Sequence, residues 1–445
     1  MRPATFRALQ YRNYRYLWLG QTGHSATLWM DVIARSVLVL DLTGSAVWLS
    51  FVLAARTAPI LVFGLIAGAV ADRMDRRQVL ISTQLVTWAT YIFLGVAVTT
   101  GFAEAWHVVA TAAVAGTAMA FNQPVRQSLI PMVVPKEAVL NAVALNSTSV
   151  SFMRIGGSTL AGVLLIVLDS GGLYLVCAAI YAVVMYTTYA MRIEGGTPVP
   201  KRKEKTSLAG DLREGFVYLG RNPALALIVS LALILFVFGF PYQQIFVPLL
   251  AKETLGIGDS GVGWLTSAIG VGAVAGSLFV ASRESIARPA LQMLINLFVF
   301  SGALLGIAIL NAAVDARPVA ITLTAILLAV AGSMTVTFMS FTNSLLLGNS
   351  DPEMHGRVMS LLSLDRGLIP LGAMLAGILA SAFDVLPALF MMGSVVLGLS
   401  GLALVFMGSA LRGITADGSH PAAAATPGRE HTAAVGTRGR QHHPG

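Results

Sequence analysis

The chain is poor in charge and in cysteine. Of its 445 residues, only 11% are Asp, Glu, Lys or Arg, whereas 56% are hydrophobic. A soluble domain carries about 25% charged residues, so the apolar excess must face something other than water. A single cysteine, Cys177, provides no disulfide framework. The composition therefore argues against a soluble or disulfide-stabilised domain.

Motifs for nucleotide hydrolysis and nucleophilic catalysis are also missing. The sequence contains no Gly-x-x-x-x-Gly-Lys-Ser/Thr phosphate loop. It contains no Gly-x-Ser-x-Gly nucleophile elbow and no cluster of metal ligands. We therefore expect neither an enzyme nor an ATP-driven pump, and we expect no cofactor.

Long apolar runs fill most of the chain, and their length fits a membrane. About 20 helical residues cross about 30 Å of hydrocarbon, and only helices or closed barrels satisfy their backbone there. The runs lack the alternation of barrel strands. The pattern predicts an all-α membrane protein with twelve transmembrane helices, at 15–40, 46–70, 79–100, 104–122, 143–168, 171–191, 224–250, 261–281, 289–311, 317–341, 357–382 and 385–411.

The basic residues predict how these helices are oriented, because Lys and Arg concentrate in cytoplasmic loops. Alternate loops hold nearly all of them: Arg73, Arg76, Arg77, Arg126, Lys136, Arg192, the 201–221 cluster, Arg283, Arg288 and Arg357. The opposite loops hold only Lys252 and Arg317. Both termini are therefore predicted to be cytoplasmic. A nucleic-acid surface is the disfavoured alternative explanation of the net charge of +8, because the positive residues flank membrane spans.

A polar segment at 192–223 separates six predicted spans from the next six. Its basic residues and the helical spacing of Leu208, Leu212, Phe216 and Leu219 fit an amphipathic helix on anionic lipid or a solvated linker. We expect an N-terminal six-helix bundle at 1–191, this linker, and a C-terminal six-helix bundle at 224–411. Residues 412–445 lack periodicity and are predicted to be a disordered cytoplasmic tail.

The most specific motif lies between the second and third predicted spans. Residues 68–77 read Gly-Ala-Val-Ala-Asp-Arg-Met-Asp-Arg-Arg. They resemble the Gly-x-x-x-Asp-Arg-x-Gly-Arg-Arg/Lys signature of the major facilitator superfamily, with Asp75 in the usual glycine position. The resemblance implies a gating loop that latches the two bundles, formed by Gly68, Asp72, Arg73, Arg76 and Arg77. The alternative interpretation is a basic loop that serves topology alone.

A second stretch resembles the branch of that superfamily with the enterobactin exporter and macrolide-efflux-type proteins. It reads Phe-Asn-Gln-Pro-Val-Arg-Gln-Ser-Leu-Ile-Pro over 121–131 and Arg-Ile-Gly-Gly over 154–157. Residues 157–162 match the Gly-Pro-x-x-Gly-Gly element of antiporters only in part, because the proline and one glycine are missing. The resemblance implies a monomeric secondary transporter in the bacterial inner membrane. Its partners would be membrane lipids, protons and an exported siderophore, macrolide or lipophilic drug.

Ionisable residues at membrane depth are functional candidates, because each costs at least about 2.5–3.5 kcal/mol on insertion. Asp31 and Arg35 are four residues apart and share a helical face. Asp31 fits either a proton-coupling carboxylate or a permanent ion-pair partner of Arg35, Arg56 or Arg154. Both roles stay open at this point.

Other candidates carry ordinary structural alternatives. Asp365 and Arg366 form a second proton-coupling or ion-pair candidate, for which the structural role is favoured. The candidate substrate cavity comprises His24, Trp29, Arg56, Arg154, Phe238, Tyr242 and Gln243. A lone histidine in a span is more often a packed polar residue, and membrane aromatics often face lipid or neighbouring helices.

Two other functions share these features. A major facilitator importer of a small nutrient would carry the same signature, and growth on single substrates would reveal it. A non-transporting membrane sensor or scaffold would also carry it, but an Asp72→Asn change would leave its phenotype intact.

Overall fold

The computed structural model describes residues 4–71, 74–191, 217–220, 222–282, 289–349 and 368–413. These residues are helical with short connections, and no β-strand occurs among them. The predicted all-α class is confirmed. The linker at 192–223 and the tail at 412–445 lie outside the described residues, apart from 217–220, 222–223 and 412–413.

The helices are numbered in chain order. They are α1 (Arg12–Thr43), α2 (Ala46–Ala71), α3 (Arg76–Thr99), α4 (Ala105–Val133), α5 (Val139–Val167), α6 (Ser170–Ala190), α7 (Pro223–Thr254), α8 (Gly258–Ala281), α9 (Pro289–Ala313), α10 (Arg317–Gly348), α11 (Ile369–Phe383) and α12 (Val385–Gly413). Short 3₁₀ turns at Ala4–Gln10 and Lys136–Ala138 precede α1 and α5.

Within the described residues, nine helices are long and apolar enough to cross a membrane, namely α3 to α10 and α12. Shorter apolar stretches occur in α2, at Ala46–Ile60, and in α11. Helix α1 carries buried polar side chains along its length, including Gln21, His24 and Asp31. The count of twelve transmembrane helices and the cytoplasmic placement of the termini stay predictions.

Helix α4 extends well past its predicted end at residue 122. It continues to Val133, so Arg126 lies inside a helix and is only 3% exposed. The prediction that Arg126 belongs to a cytoplasmic loop was wrong. The polar residues that suggested a loop in the sequence form hydrogen bonds with one another and with α3 instead. Asn122 donates to Thr83 Oγ1 at 3.0 Å, and Arg126 Nε donates to Asn122 Oδ1 at 3.3 Å. Helix α10 likewise runs past the predicted residue 341 to Gly348.

Helix α7 changes its hydrogen-bonding pattern around Pro241. It begins as an α-helix (Pro223–Ile234) and becomes π-helical at Leu235–Gly239 and again at Tyr242–Phe246. Proline lacks the amide hydrogen that an α-helix needs, and wider π turns accommodate the resulting break in the hydrogen-bond ladder. The irregular part of α7 is the part that lines the cavity described below.

The helices pack mainly within two groups. In the N-terminal set, α1 to α6, α1 packs on α5 and α6, and α4 packs on α2 and α3. In the C-terminal set, α7 to α12, α10 packs on α8 and α9, and α12 packs on α9 and α11. The main contacts between the sets are those of α5 with α8 and of α2 with α11.

Both contacts between the sets extend toward one end of the molecule. This end, here the distal end, carries the connections at 44–45, 100–104, 168–169, 255–257, 314–316 and 384. Ser50 Oγ, near the start of α2, donates to Ala373 O of α11 at 2.9 Å. Thr159 of α5 and Ser267 of α8 bring their hydroxyl oxygens to 2.7 Å. The two sets are therefore closed against each other at the distal end.

Candidate functional site

A cavity of about 390 Å³ lies between the two sets. The N-terminal set contributes Trp29 of α1 and two residues of α5, Ser151 and Arg154. The C-terminal set contributes the rest: Phe236, Phe240, Tyr242, Gln243, Ile269, Ala273, Val274, Ser277, Gly332, Thr335, Val336, Met339, Ser340, Asn343 and Ile369. Both sets therefore shape one space.

Arg154 and Trp29 stack on the N-terminal side of this cavity. The Arg154 Cζ lies 5.0 Å from the centroid of the Trp29 ring. A guanidinium over an indole face is attracted by the negative charge of the ring face, and burial strengthens that attraction. The stack holds a cation against the cavity wall.

Four of the predicted cavity residues line this cavity: Trp29, Arg154, Tyr242 and Gln243. Three others lie elsewhere, which corrects their assignment to it. His24 Nδ1 is 3.0 Å from Tyr181 Oη, and this pair is buried between α1 and α6. Phe238 packs against the apolar core, whereas Phe236 and Phe240 line the cavity. Arg56 binds a carboxylate.

That carboxylate is Asp31, which two arginines share. Its Oδ1 accepts from Arg35 Nη2 at 2.8 Å, and its Oδ2 pairs with Arg56 Nη1. Asp31 is fully buried. Arg35 Nη1 also donates to Thr111 Oγ1 at 2.9 Å and to a backbone oxygen of α4 at 3.0 Å. The cluster connects α1, α2 and α4 and carries more positive than negative charge.

The position of Arg56 depends on a glycine in α4. A Cβ atom at Gly116 would lie 2.0 Å from the backbone oxygen of Arg56, so only glycine permits this approach. The close packing of α2 on α4 brings Arg56 to Asp31. Helix α1 carries both Asp31 and, two residues earlier, Trp29, which lines the cavity.

An ion-pair network at the distal end had not been predicted from the sequence. Lys252, in the last turn of α7, pairs with Asp41 of α1 and, at 2.7 Å, with Asp259 Oδ1 of α8. The sequence did contain a signal. Lys252 was one of two basic residues predicted on its side of the membrane, and each acidic partner lies at the end of a helix.

The partial antiporter element at 157–162 lies on the packing surface of α5. A Cβ atom at Gly263 of α8 would lie 2.4 Å from the Cα of Gly162. Backbone therefore packs directly on backbone where the two sets meet, which requires residues without side chains.

Only part of the predicted gating loop lies within the described residues, because Asp72 and Arg73 fall outside them, as do Asp365 and Arg366. Gly68 lies in α2. Asp75 occupies the usual glycine position and caps α3: its Oδ1 accepts from Arg77 N at 2.8 Å.

The two described arginines of the loop contact neighbouring helices of the N-terminal set. Arg77 Nη2 donates to Tyr189 O at 2.5 Å, at the end of α6. Arg76 Nη1 lies 3.0 Å from Met132 Sδ of α4. These contacts hold the start of α3 against α4 and α6.

The sequence is similar to known membrane transport proteins. Residues 3–438 match the family described as transmembrane secretion effector. The staphyloferrin A transporter of Staphylococcus aureus is 25% identical over 373 residues, which cover 82% of this chain and 89% of that protein. The multidrug efflux pump Tap of Mycolicibacterium fortuitum is 26% identical over 386 residues, covering 85% and 91%.

Solved structures share the fold. The crystal structure of the nucleoside transporter NupG superposes with a TM-score of 0.69 at 14% identity, covering 88% of this chain and 98% of that one. The family match spans nearly the whole sequence, and the relatives are major facilitator transporters rather than enzymes. The chain therefore belongs to the transmembrane secretion effector family of the major facilitator superfamily, and it is a transporter.

Proposed function

We propose that this transporter exports a small organic compound in exchange for protons, by alternating access around the cavity between its two helix sets. The observation that carries the proposal is the architecture of α1. One face of this helix presents Trp29 to the cavity, and another presents the buried Asp31 to Arg35 and Arg56. A change of charge at Asp31 therefore acts on the helix that touches the substrate.

The proposed topology has twelve spans, with α1, α2 and α11 crossing the membrane beside the nine helices that are long and apolar. The termini lie in the cytoplasm, so the distal end faces outward. The membrane is the inner membrane of a bacterium, and the carrier works as a monomer. In this arrangement the two bundles correspond to residues 1–191 and 224–411, joined by the linker.

The described conformation is then the one closed to the outside. Its outer closure consists of the Lys252 ion pairs, the Thr159–Ser267 contact and the glycine contact of α5 with α8. Export requires these contacts to separate so that the cavity opens outward. The loop at 68–77 latches the opposite end in that second state, through Asp72, Arg73, Arg76 and Arg77.

Protonation of Asp31 supplies the coupling. The carboxylate balances one of two arginine charges, and a proton on it removes that balance. The attraction that holds Arg56 against α1 then weakens, since a neutral acid attracts a guanidinium far less than a carboxylate does. The link between α1 and α2 weakens, and the set can change its packing. A static ion pair, in which Asp31 never takes up a proton, is the alternative.

The substrate class is a siderophore, a macrolide or a lipophilic drug. One relative is named a staphyloferrin A transporter and another a multidrug efflux pump. Phe236, Phe240, Tyr242 and Met339 give the cavity a largely apolar wall that suits partly apolar compounds.

Accumulation in a bacterial host deleted for its own efflux carriers tests the proposal. Wild type and Asp72→Asn are expressed at matched levels and exposed to macrolides, dyes and iron chelators, with and without an uncoupler. We expect wild type to lower the accumulation of at least one compound, and both the uncoupler and Asp72→Asn to abolish this effect. If wild type raises accumulation instead, the protein is an importer. Equal accumulation across the whole panel would contradict export.

A further inference from the structure

Three buried hydrogen-bond donors of the cavity wall have no partner among the described residues. They are the Nε atom of Arg154, the Nε1 atom of Trp29 and the Nε2 atom of Gln243. All three residues line the cavity, and they come from three different helices, α5, α1 and α7. The arginine and the indole can only donate. Because a buried donor without an acceptor costs about 1–3 kcal/mol, this group calls for an acceptor.

The charge of the cavity is also unbalanced. Among its lining residues within the described part of the chain, Arg154 is the only ionised group, and the lining contains no Asp or Glu. Asp31 does not serve as the counter-charge, because both of its oxygens are bound by Arg35 and Arg56. The Trp29 ring lowers the cost of burying the Arg154 cation but does not neutralise it.

The rest of the wall defines the body of the occupant. Phe236 and Phe240 offer aromatic surface, and Ser340, Thr335 and Tyr242 add hydroxyl groups. A single guanidinium, with its planar fork of donors, matches a single carboxylate in charge and geometry. A compound with one anionic end and an apolar body would satisfy both the donors and the aromatic wall.

We infer that the cavity binds an organic carboxylate, with Arg154 as its charge partner and Trp29 and Gln243 as additional donors. This inference rests on the proposed function in that it takes the cavity to be the transport site. It goes further by assigning the charge and the recognised group of the substrate.

Ligand-induced thermal stabilisation of the purified protein in detergent tests the inference without transport. The probes are 2-naphthoate and indomethacin, each compared with its methyl ester, which has nearly the same body but no charge. We expect at least one acid to bind about tenfold more tightly than its ester, as a charged hydrogen bond predicts. Arg154→Gln should remove this preference, whereas Arg154→Lys should keep most of it.

Two further variants complete the design. Arg126→Gln removes another buried cation of the N-terminal set that does not line the cavity, and it should leave the preference unchanged. Trp29→Phe keeps an aromatic face but removes a donor, so it should weaken binding of the acid and not of the ester. This second variant keeps the test decisive if Arg154→Gln does not fold.

The inference is overturned if no acid is preferred over its ester, or if Arg154→Gln retains the preference. These outcomes differ from a failure of the proposed function. Acid binding without any lowered accumulation in cells would contradict export and leave the carboxylate site standing. Export of neutral or cationic compounds that survives Arg154→Gln would leave export standing and contradict the carboxylate site.

Discussion

Lys252 and Asp41 form an ion pair that joins the last turn of α7 to the last turn of α1, and so connects the two helix sets. The Asp41 side chain is 46% exposed and that of Lys252 is 19% exposed. An ion pair so open to solvent contributes about 0.2–1 kcal/mol. Such a contact is strong enough to bias a closed state and weak enough to break in every transport cycle.

Exchanging the charges of this pair tests its role in outer closure. Asp41→Lys alone places two ammonium groups together and should favour the open distal end. Adding Lys252→Asp restores attraction across the pair and should restore closure, because the repulsion it creates against Asp259 acts between α7 and α8 of the same set. The readout is labelling of a cysteine at Thr159→Cys by a membrane-impermeant maleimide, in a Cys177→Ala background. We expect about two- to fivefold faster labelling for the single change and a return toward the original rate for the double change. Equal labelling rates in wild type and the single variant would show that this ion pair does not contribute to closure of the distal end.

A disulfide across the sets should stop transport. The hydroxyl oxygens of Thr159 and Ser267 are 2.7 Å apart, so cysteines at both positions fall within reach of a disulfide. Oxidation should lock the distal end and abolish transport, and a reductant should restore it. The matched control is Thr22→Cys with Ser149→Cys, whose hydroxyls are 2.6 Å apart on α1 and α5 within one set. Cross-linking of this control should leave transport largely intact. Continued transport through the locked α5–α8 pair would show that this contact does not open.

The glycine contact gives a prediction about volume. Gly263→Ala would place a methyl group 2.4 Å from the Cα of Gly162 and should push α5 and α8 apart. Overpacking of this kind costs about 1–3 kcal/mol, which corresponds to at least about a fivefold loss of the closed state. We expect a comparable fall in transport rate. Gly302→Ala is the control, since nothing lies within 4 Å of a Cβ atom there. If both variants transport alike, close packing at Gly263 has no part in the cycle.

The Asp31 cluster predicts an order of stabilities in detergent. Asp31→Asn leaves the buried Arg35 and the partly buried Arg56 without a counter-charge, at a cost of about 3–5 kcal/mol. Arg56→Gln keeps the Asp31–Arg35 pair and should cost less. Asp41→Asn, at an exposed position, should cost least. Thermal unfolding midpoints should therefore fall most for Asp31→Asn and least for Asp41→Asn. A midpoint for Asp31→Asn equal to that of wild type would mean that the cluster does not hold these helices together.

Local patterns in the sequence were sufficient for some of these features and not for others. Hydropathy predicts helices because each span satisfies its own backbone. The four-residue spacing brings Asp31 and Arg35 together without knowledge of the fold. The choice of Arg56 as the second partner depends on how closely α2 approaches α4, which Gly116 permits. That approach is a property of packing and does not follow from spacing along one helix.

Two failures have physical causes of the same kind. Arg126 was placed in a loop because polar residues near a span end normally meet water, whereas here it is buried inside a helix and its Nε donates to Asn122 Oδ1. Phe238 was assigned to the cavity as one of several aromatic residues of its span, but it packs against the apolar core. Composition does not reveal which aromatic side chains of the π-helical part of α7 face the cavity. The Lys252–Asp41 pair spans 211 positions, so no spacing along one helix indicates that these two residues meet.

Proton movement driven by substrate tests the central claim most directly. Inside-out membrane vesicles are given a pH gradient, which a fluorescent amine reports, and the compound found by the accumulation panel is then added. Wild type should dissipate part of the gradient as the compound enters. Asp31→Asn should not, whereas Asp31→Glu, which keeps a titratable carboxylate, should. Uptake of the compound without any change in the gradient, or an unchanged response in Asp31→Asn, would contradict proton coupling through Asp31.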